Sequence, residues 1–147
     1  MHAFIAAALA LCSTGNAGIA TKIATEASAQ EADVVMSLAI GLMESGYQSG
    51  NPMGVRGCYP KAKVQTGRDD AACIRIGVRS LNNRLRYVRA SMPSKDDLLH
   101  CSRSGNMRMC RALANYNSSP RKYIYAKKGM ALVRKIYKLS GVPWPNT

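Results

Sequence analysis

The 147 residues fit one domain of ordinary size, long enough to bury a core without relying on a metal or dense cross-linking, and a second domain is not expected. Lysine and arginine number 21 against 8 acids, a formal charge of +13. A field of that sign recruits polyanions, among them nucleic acid, acidic lipid and anionic cell-wall polymer.

Ala3 to Leu11 is an unbroken apolar run of signal-peptide length, too short to span a membrane. Small residues follow at Gly15 and Ala17, Gly18 and Ala20, and Ala27 and Ala29. Residues 1–29 are therefore expected to be a signal peptide or a hydrophobic N-terminal arm, with residues 30–147 as one domain that has no transmembrane helix. An exported chain, periplasmic or virion-associated, follows from the signal reading. Against it, the start carries His2 but no Lys or Arg, and no single cleavage site stands out; LALC around Cys12 is a poor lipoprotein box because Leu11 is too large. Removing this segment takes away Lys22 and Glu26 together, so the net charge stays at +13.

Beyond residue 30 the pattern is helical nearly throughout, which predicts an all-α class. Val35, Leu38, Ala39 and Leu42 recur at helical spacing up to about Ser45, and Gly46 supplies a left-handed cap. A Gly- and Pro-rich loop without period follows, GYQSGNPMGVRGCYPKAKVQTGR. Asp69 or Asp70 then caps a second helix with an apolar stripe of Ile74, Val78, Leu81, Leu85 and Val88, ended by Pro93. KDDLL starts a short helix, SGN makes a turn, and MRMCRALANY forms a helix whose inner face holds Met107, Cys110, Leu113 and Ala114. A last helix runs from about Tyr123 to Ser140, before Gly141 and Pro143.

Without Cys12, four cysteines remain: Cys58, Cys73, Cys101 and Cys110. An even number in a small exported chain favours disulfides, in one of three connectivities. Short loops close most readily, which favours Cys58 with Cys73 and Cys101 with Cys110. No CxxC occurs and His100 is the only histidine near these cysteines, so neither a metal nor a cofactor is expected.

Glu44 stands out because the C-terminal end of a helix disfavours a carboxylate. At about 100° per residue it lies away from the apolar stripe and shares a face with Ser37, Ile40 and Gly41. If that face lines a cleft, burial and the helix dipole both raise its proton affinity, which a general acid at neutral pH requires. If it does not, Glu44 is a solvated residue at a frayed helix end.

Four segments in order, AIGLMESGY, NPMGVRG, CIRIGVRSLNNRL and RALANYNSSPRKYIYAKK, resemble the soluble lytic transglycosylases of the lysozyme-like superfamily across about residues 31–140. The nearest branch in character is the small specialised enzymes of secretion systems, conjugation systems and phage particles. The resemblance implies a lysozyme-like fold with a substrate cleft, with Glu44 as the single catalytic acid and base. It implies that Asn51, Tyr116 and Asn117 border the sugar, and that Gly54 and Gly57 are loop glycines. Where the family continues Leu-Met-Gln after the second of these, the chain has Cys58, Tyr59 and Pro60, and Ala-Gly after the Tyr-Asn pair becomes Ser118 and Ser119. A different sugar subsite is expected there.

The implied reaction cleaves the β-1,4 bond between N-acetylmuramic acid and N-acetylglucosamine in peptidoglycan and closes a 1,6-anhydro ring, with a single carboxyl group. Ordinary glycosidases need a second carboxylate. The nearest downstream acids, Asp69 and Asp70, sit at a helix N-cap, which favours transglycosylation over lysozyme-type hydrolysis. Peptidoglycan strands are the expected partner, with a secretion, conjugation or virion assembly around the enzyme. Arg79, Arg84, Arg86, Arg89, Arg121, Lys122, Lys127 and Lys128 could hold it on an anionic wall, or merely keep it soluble. Two other readings are a wall-binding machine component without turnover and a nucleic-acid binder. Tyr87, Tyr116, Tyr123, Tyr125 and Tyr137 interleave with cations, yet no nucleic-acid motif appears and export argues against that partner.

Overall fold

The computed structural model describes residues 1–13, 15–58 and 69–145. Among them are seven helices: α1 (His2–Ala10), α2 (Ala17–Ala29), α3 (Val34–Ser45), α4 (Asp70–Ala90), α5 (Lys95–Cys101), α6 (Met107–Asn117) and α7 (Lys122–Ser140). No strand occurs among the described residues, so the class is all-α as expected. None of these helices is long and apolar enough to cross a membrane.

Short polar side chains start most of the helices by accepting bonds from otherwise unpaired first-turn amides. Asn16 accepts from Gly18 and Ile19, Asp33 from Met36, Asp69 from Ala72, and Asn106 from Met109. Ser94 and Asp97 form a reciprocal capping box at α5. Of the two aspartates expected at the start of α4, Asp69 is the cap. At the C-terminal ends, Gly46 and Gly141 take the left-handed conformation after α3 and α7.

The core is built around α3, which packs against α1, α2 and α7. Its stripe residues Val35, Leu38 and Ala39 are buried, but so are Ser37, Ile40 and Gly41 on the face that was expected to be open. The reason lies in the N-terminal segment. Ile19, Ala20, Ile23, Ala24 and Ala27 of α2 are buried, and Ile23 meets Gly41. On α1, Ile5, Ala7 and Ala8 are buried, and Phe4 packs edge-on against Tyr137 of α7 at 5.4 Å. The chain between these helices is tied to the turn after α3, where Asn16 N–H donates to the Tyr47 carbonyl and the Cys12 thiol to the Gly46 carbonyl. On α6, Cys110, Leu113 and Ala114 face inward as expected, whereas Met107 is only half-buried.

Both disulfides have the expected pairing, Cys58 with Cys73 and Cys101 with Cys110. The first fastens the loop after α3 to the start of α4, and the second joins α5 to α6.

Buried Arg111 on α6 does what no periodicity reveals. Its guanidinium donates to the carbonyls of Val88, Ser91 and Met92 and to the Ser91 hydroxyl, and it meets the Asp97 carboxylate at 3.0 Å. A cation thus closes the C-terminal end of α4, where carbonyls lack partners. Burial opposes ionisation of Asp97, but the Tyr123 hydroxyl, the Ser94 amide and Arg111 together hold its carboxyl below the ordinary value. Arg111→Ala removes the centre of this network and should lower stability by about 2–3 kcal/mol, the order expected when buried carbonyls lose a charged donor while Asp97 keeps Tyr123 and the Ser94 amide. Because the folded pKa of Asp97 is depressed, its contribution is present above the unfolded value of 3.8 and is lost as pH falls below it. Chemical denaturation between pH 2 and 7 should therefore give Asp97→Asn a stability deficit that shrinks toward the acid end; a pH-independent deficit would contradict the assignment.

Candidate active site

Glu44 occupies the last turn of α3, and the turn that follows is held rigidly. Tyr47 takes a left-handed backbone conformation (φ 59°), buries its ring completely, and donates its hydroxyl to the Leu38 carbonyl at 2.7 Å. The loop beyond, patternless in sequence, is fastened at several points. Ser45 Oγ donates to the Pro52 carbonyl, Gly50 N–H to Asp70 Oδ1, and Tyr116 Oη to the Met53 carbonyl at 2.6 Å. Met53 is buried against Gly77 of α4, where an added Cβ would lie 2.8 Å from the Met53 Cβ. Two residues of the CIRIGVRSLNNRL segment thus have a physical reading: Gly77 leaves room for Met53, and Leu81 joins the core.

Gly54 lies against the Glu44 carboxyl. Its φ is +67°, and a Cβ there would overlap the carboxylate. Gly54→Ala should therefore displace Glu44 and strain the loop at the same time. If Glu44 works as a catalytic acid, a fall in turnover of at least about tenfold, with only about 1–3 kcal/mol lost in unfolding free energy, is expected; unchanged turnover would mean that the position of Glu44 does not matter.

Tyr125 of α7 completes the surroundings of Glu44. Its hydroxyl is buried beside the Glu44 carboxyl and has no other hydrogen-bond acceptor among the described residues. A buried phenol without another acceptor gains by bonding that carboxylate. Burial, then the charge of Glu44 and the bond to it, push the phenol far above its ordinary range, so it remains a donor. Burial pushes the Glu44 carboxyl upward, and the Tyr125 hydroxyl partly offsets this. Tyr125→Phe removes the offset, so Glu44 should hold its proton to higher pH. If Glu44 works as an acid, the alkaline limb of the pH–rate profile should then move upward; a limb moving downward would contradict the coupling.

Beside this cluster opens a cleft of about 630 Å³ lined by the loop at Gly54, Val55 and Arg56, by Ile76, Ser80 and Arg84 of α4, and by Tyr116, Asn117 and Ser118. Glu44 is not itself among the lining residues, but Gly54, which is, lies against its carboxyl. No Asp or Glu is among the lining residues. Asp69 and Asp70 are committed elsewhere, to the Ala72 and Gly50 amides.

The residues expected to border the sugar divide into two groups. Tyr116 and Asn117 both line the cleft. Asn117 Oδ1 accepts from the Ser119 amide at 3.1 Å and from the Ser119 hydroxyl, which turns the chain out of α6. Ser119 thus has a structural part in the sequence that replaces Ala-Gly. Asn51 instead binds its own loop, donating Nδ2 to the Val55 carbonyl and accepting from the Val55 amide, and it does not line the cleft. Gly57 lies on the same loop with φ +85°. Of the residues that stand in place of Leu-Met-Gln, Cys58 is in the disulfide, while Tyr59 and Pro60 lie outside the described residues. Tyr125 was not singled out for this site by sequence; its only signal was an aromatic within a basic helix.

Comparison of the chain with protein-family models, with curated proteins and with solved structures gives no match.

Proposed function

We propose that the chain is a peptidoglycan lytic transglycosylase with a lysozyme-like arrangement of cleft and acid. The observation that carries this reading is one half-buried carboxyl of raised proton affinity, Glu44, packed against a glycine that lines a cleft with no Asp or Glu among its lining residues. Protonated Glu44 gives its proton to the glycosidic oxygen between N-acetylmuramic acid and N-acetylglucosamine as the bond to the muramic C1 breaks. The substrate's acetamido oxygen supports the cationic carbon. The Glu44 carboxylate then takes the proton of the muramic 6-hydroxyl, whose oxygen attacks C1 and closes the 1,6-anhydro ring. A hydrolase of the usual kind would need another carboxylate to activate water or act as nucleophile.

The two disulfides are compatible with an oxidising compartment, and the +13 charge suits an anionic wall. Export, and service to a secretion, conjugation or virion assembly, belong to the same proposal. Mass spectrometry of purified peptidoglycan after incubation with the protein tests it. Anhydromuropeptides support the transglycosylase, new reducing ends replace it with a hydrolase, and an intact wall leaves a binding protein.

A further inference from the structure

The cleft beside Glu44 is lined by cations and by no acid. Ile76, Ser80 and Arg84 follow at four-residue steps on α4, so they form one ridge along a single helix face. Opposite stands the loop with Arg56, and the end of α6 adds Tyr116, Asn117 and Ser118. Arg56 and Arg84 are the only charged side chains lining this space, and neither forms an ion pair with a described residue. Arg86 and Arg89, further along α4, are placed differently. They line another hollow, which Glu31 and Asp33 share. In the cleft, two exposed guanidinium groups meet only neutral hydroxyl, amide, aromatic and aliphatic groups.

A neutral sugar needs hydroxyl and amide partners, which Ser80, Asn117 and Ser118 offer, but it has no use for two uncompensated cations. The planar fork of a guanidinium matches a carboxylate in bidentate fashion. We propose that Arg56 and Arg84 make the cleft selective for glycan strands whose muramyl units carry free carboxylates. This inference rests on the proposed glycan-cleaving role of the site and names the substrate feature that the site reads. The carboxylate has two possible sources, the lactyl ether of a bare muramyl residue and the peptide stem attached to it. Both present the same group within reach of a strand lying along the α4 ridge.

Three strand preparations separate the possibilities: peptidoglycan strands with intact stems, strands stripped of stems so that only lactyl carboxylates remain, and stripped strands whose carboxylates are converted to amides. Cleavage by the parent, by the Arg56→Gln/Arg84→Gln double variant and by Arg86→Gln is measured as kcat/KM, and binding of each strand is measured in parallel. The parent should prefer carboxylate-bearing strands over amidated ones by roughly tenfold, the size expected of charge-assisted hydrogen bonding to an exposed group. The double variant should treat them alike, and Arg86→Gln should keep the preference. Preference for stripped strands alone assigns the lactyl group, whose carboxyl is tied up as an amide wherever a stem is attached; preference for stemmed strands alone assigns the stem, and equal preference means that the two arginines read either carboxylate. A parent indifferent to amidation, or a double variant that retains the full preference, overturns the inference. If no strand is cleaved by any protein, the transglycosylase reading fails by itself, and the same comparison in the binding data still decides the carboxylate selectivity.

Discussion

Glu44→Gln is expected to lower glycan cleavage by at least about a hundredfold, the range typical of lost general-acid catalysis, while the protein stays folded. The amide is nearly isosteric with the carboxylic acid and fits the space between Gly54 and Tyr125, but it has no acidic proton to give. Stability should not fall. Burial disfavours the Glu44 carboxylate, and the C-terminal end of α3 disfavours negative charge, so a neutral side chain relieves both effects. The sign can be worked out for pH as well. A carboxyl whose folded pKa lies above its unfolded one favours the folded state most at low pH, and that advantage is lost as pH rises through the folded value. Glu44→Gln should therefore melt at or slightly above the parent temperature at neutral pH. Anhydromuropeptide release and thermal melting, measured on the same preparation, check both halves. Near-normal turnover in a folded Glu44→Gln protein would remove Glu44 from the chemistry and the transglycosylase reading with it.

Features set by local chemistry were legible in the sequence. Asp69 caps α4 because a short acceptor at that position satisfies the Ala72 amide whatever surrounds it. Gly46 ends α3 because glycine enters the left-handed region without penalty. The disulfide pairing followed from loop length, since residues 15 and 9 positions apart close before distant ones do. What could not be read was the set of partners supplied by remote chain. Arg111 looks like a surface cation of an amphipathic helix until the open end of α4 and Asp97 are placed around it. Tyr125 follows Glu44 by more than half the described chain, and only the packing of α7 on α3 brings them together.

The candidate site divides along the same line. Glu44 drew attention because its position contradicts a local rule, that a helix C-terminus disfavours a carboxylate, and in the fold it is half-buried with its proton affinity raised. Tyr116 and Asn117 were placed by the order of segments, and both line the cleft. Asn51 was read as facing the sugar because a polar residue before proline resembles a family position. In the fold its amide is used to close the loop on Val55, a bond between residues four apart that sequence permits but does not require. The N-terminal segment shows how composition can obscure periodicity. Its alanines and glycines drew attention to export, yet Asn16 is an N-cap, and Ile19, Ile23 and Ala27 recur at four-residue steps on one buried face.

Deleting residues 1–29 is expected to abolish cooperative folding of the remainder. Ile5, Ile19 and Ile23 are buried, and fully burying one such side chain contributes roughly 1.5–3 kcal/mol. Together they approach the whole net stability of an ordinary domain, roughly 5–15 kcal/mol. The loss would extend beyond these side chains. Without α2, the face of α3 that bears Gly41 and Ile40 opens to water, and the buried Tyr47 ring loses Gly15 as a neighbour. The Tyr47 carbonyl would also lose the Asn16 amide, and Gln30 would be left as a chain terminus instead of bonding from the end of α2 to the Arg75 carbonyl. Since Tyr47 fixes the turn after Glu44, the damage should reach the cleft. The 30–147 fragment, with both disulfides formed, should keep helical circular dichroism, bind a hydrophobic dye, and melt without a cooperative transition, the behaviour of a chain that keeps helices but has lost specific packing. It should also fail to cleave glycan. A fragment that melts cooperatively within a few degrees of the full chain would show that α1 and α2 are dispensable to the core and would favour the reading of residues 1–29 as a removable signal.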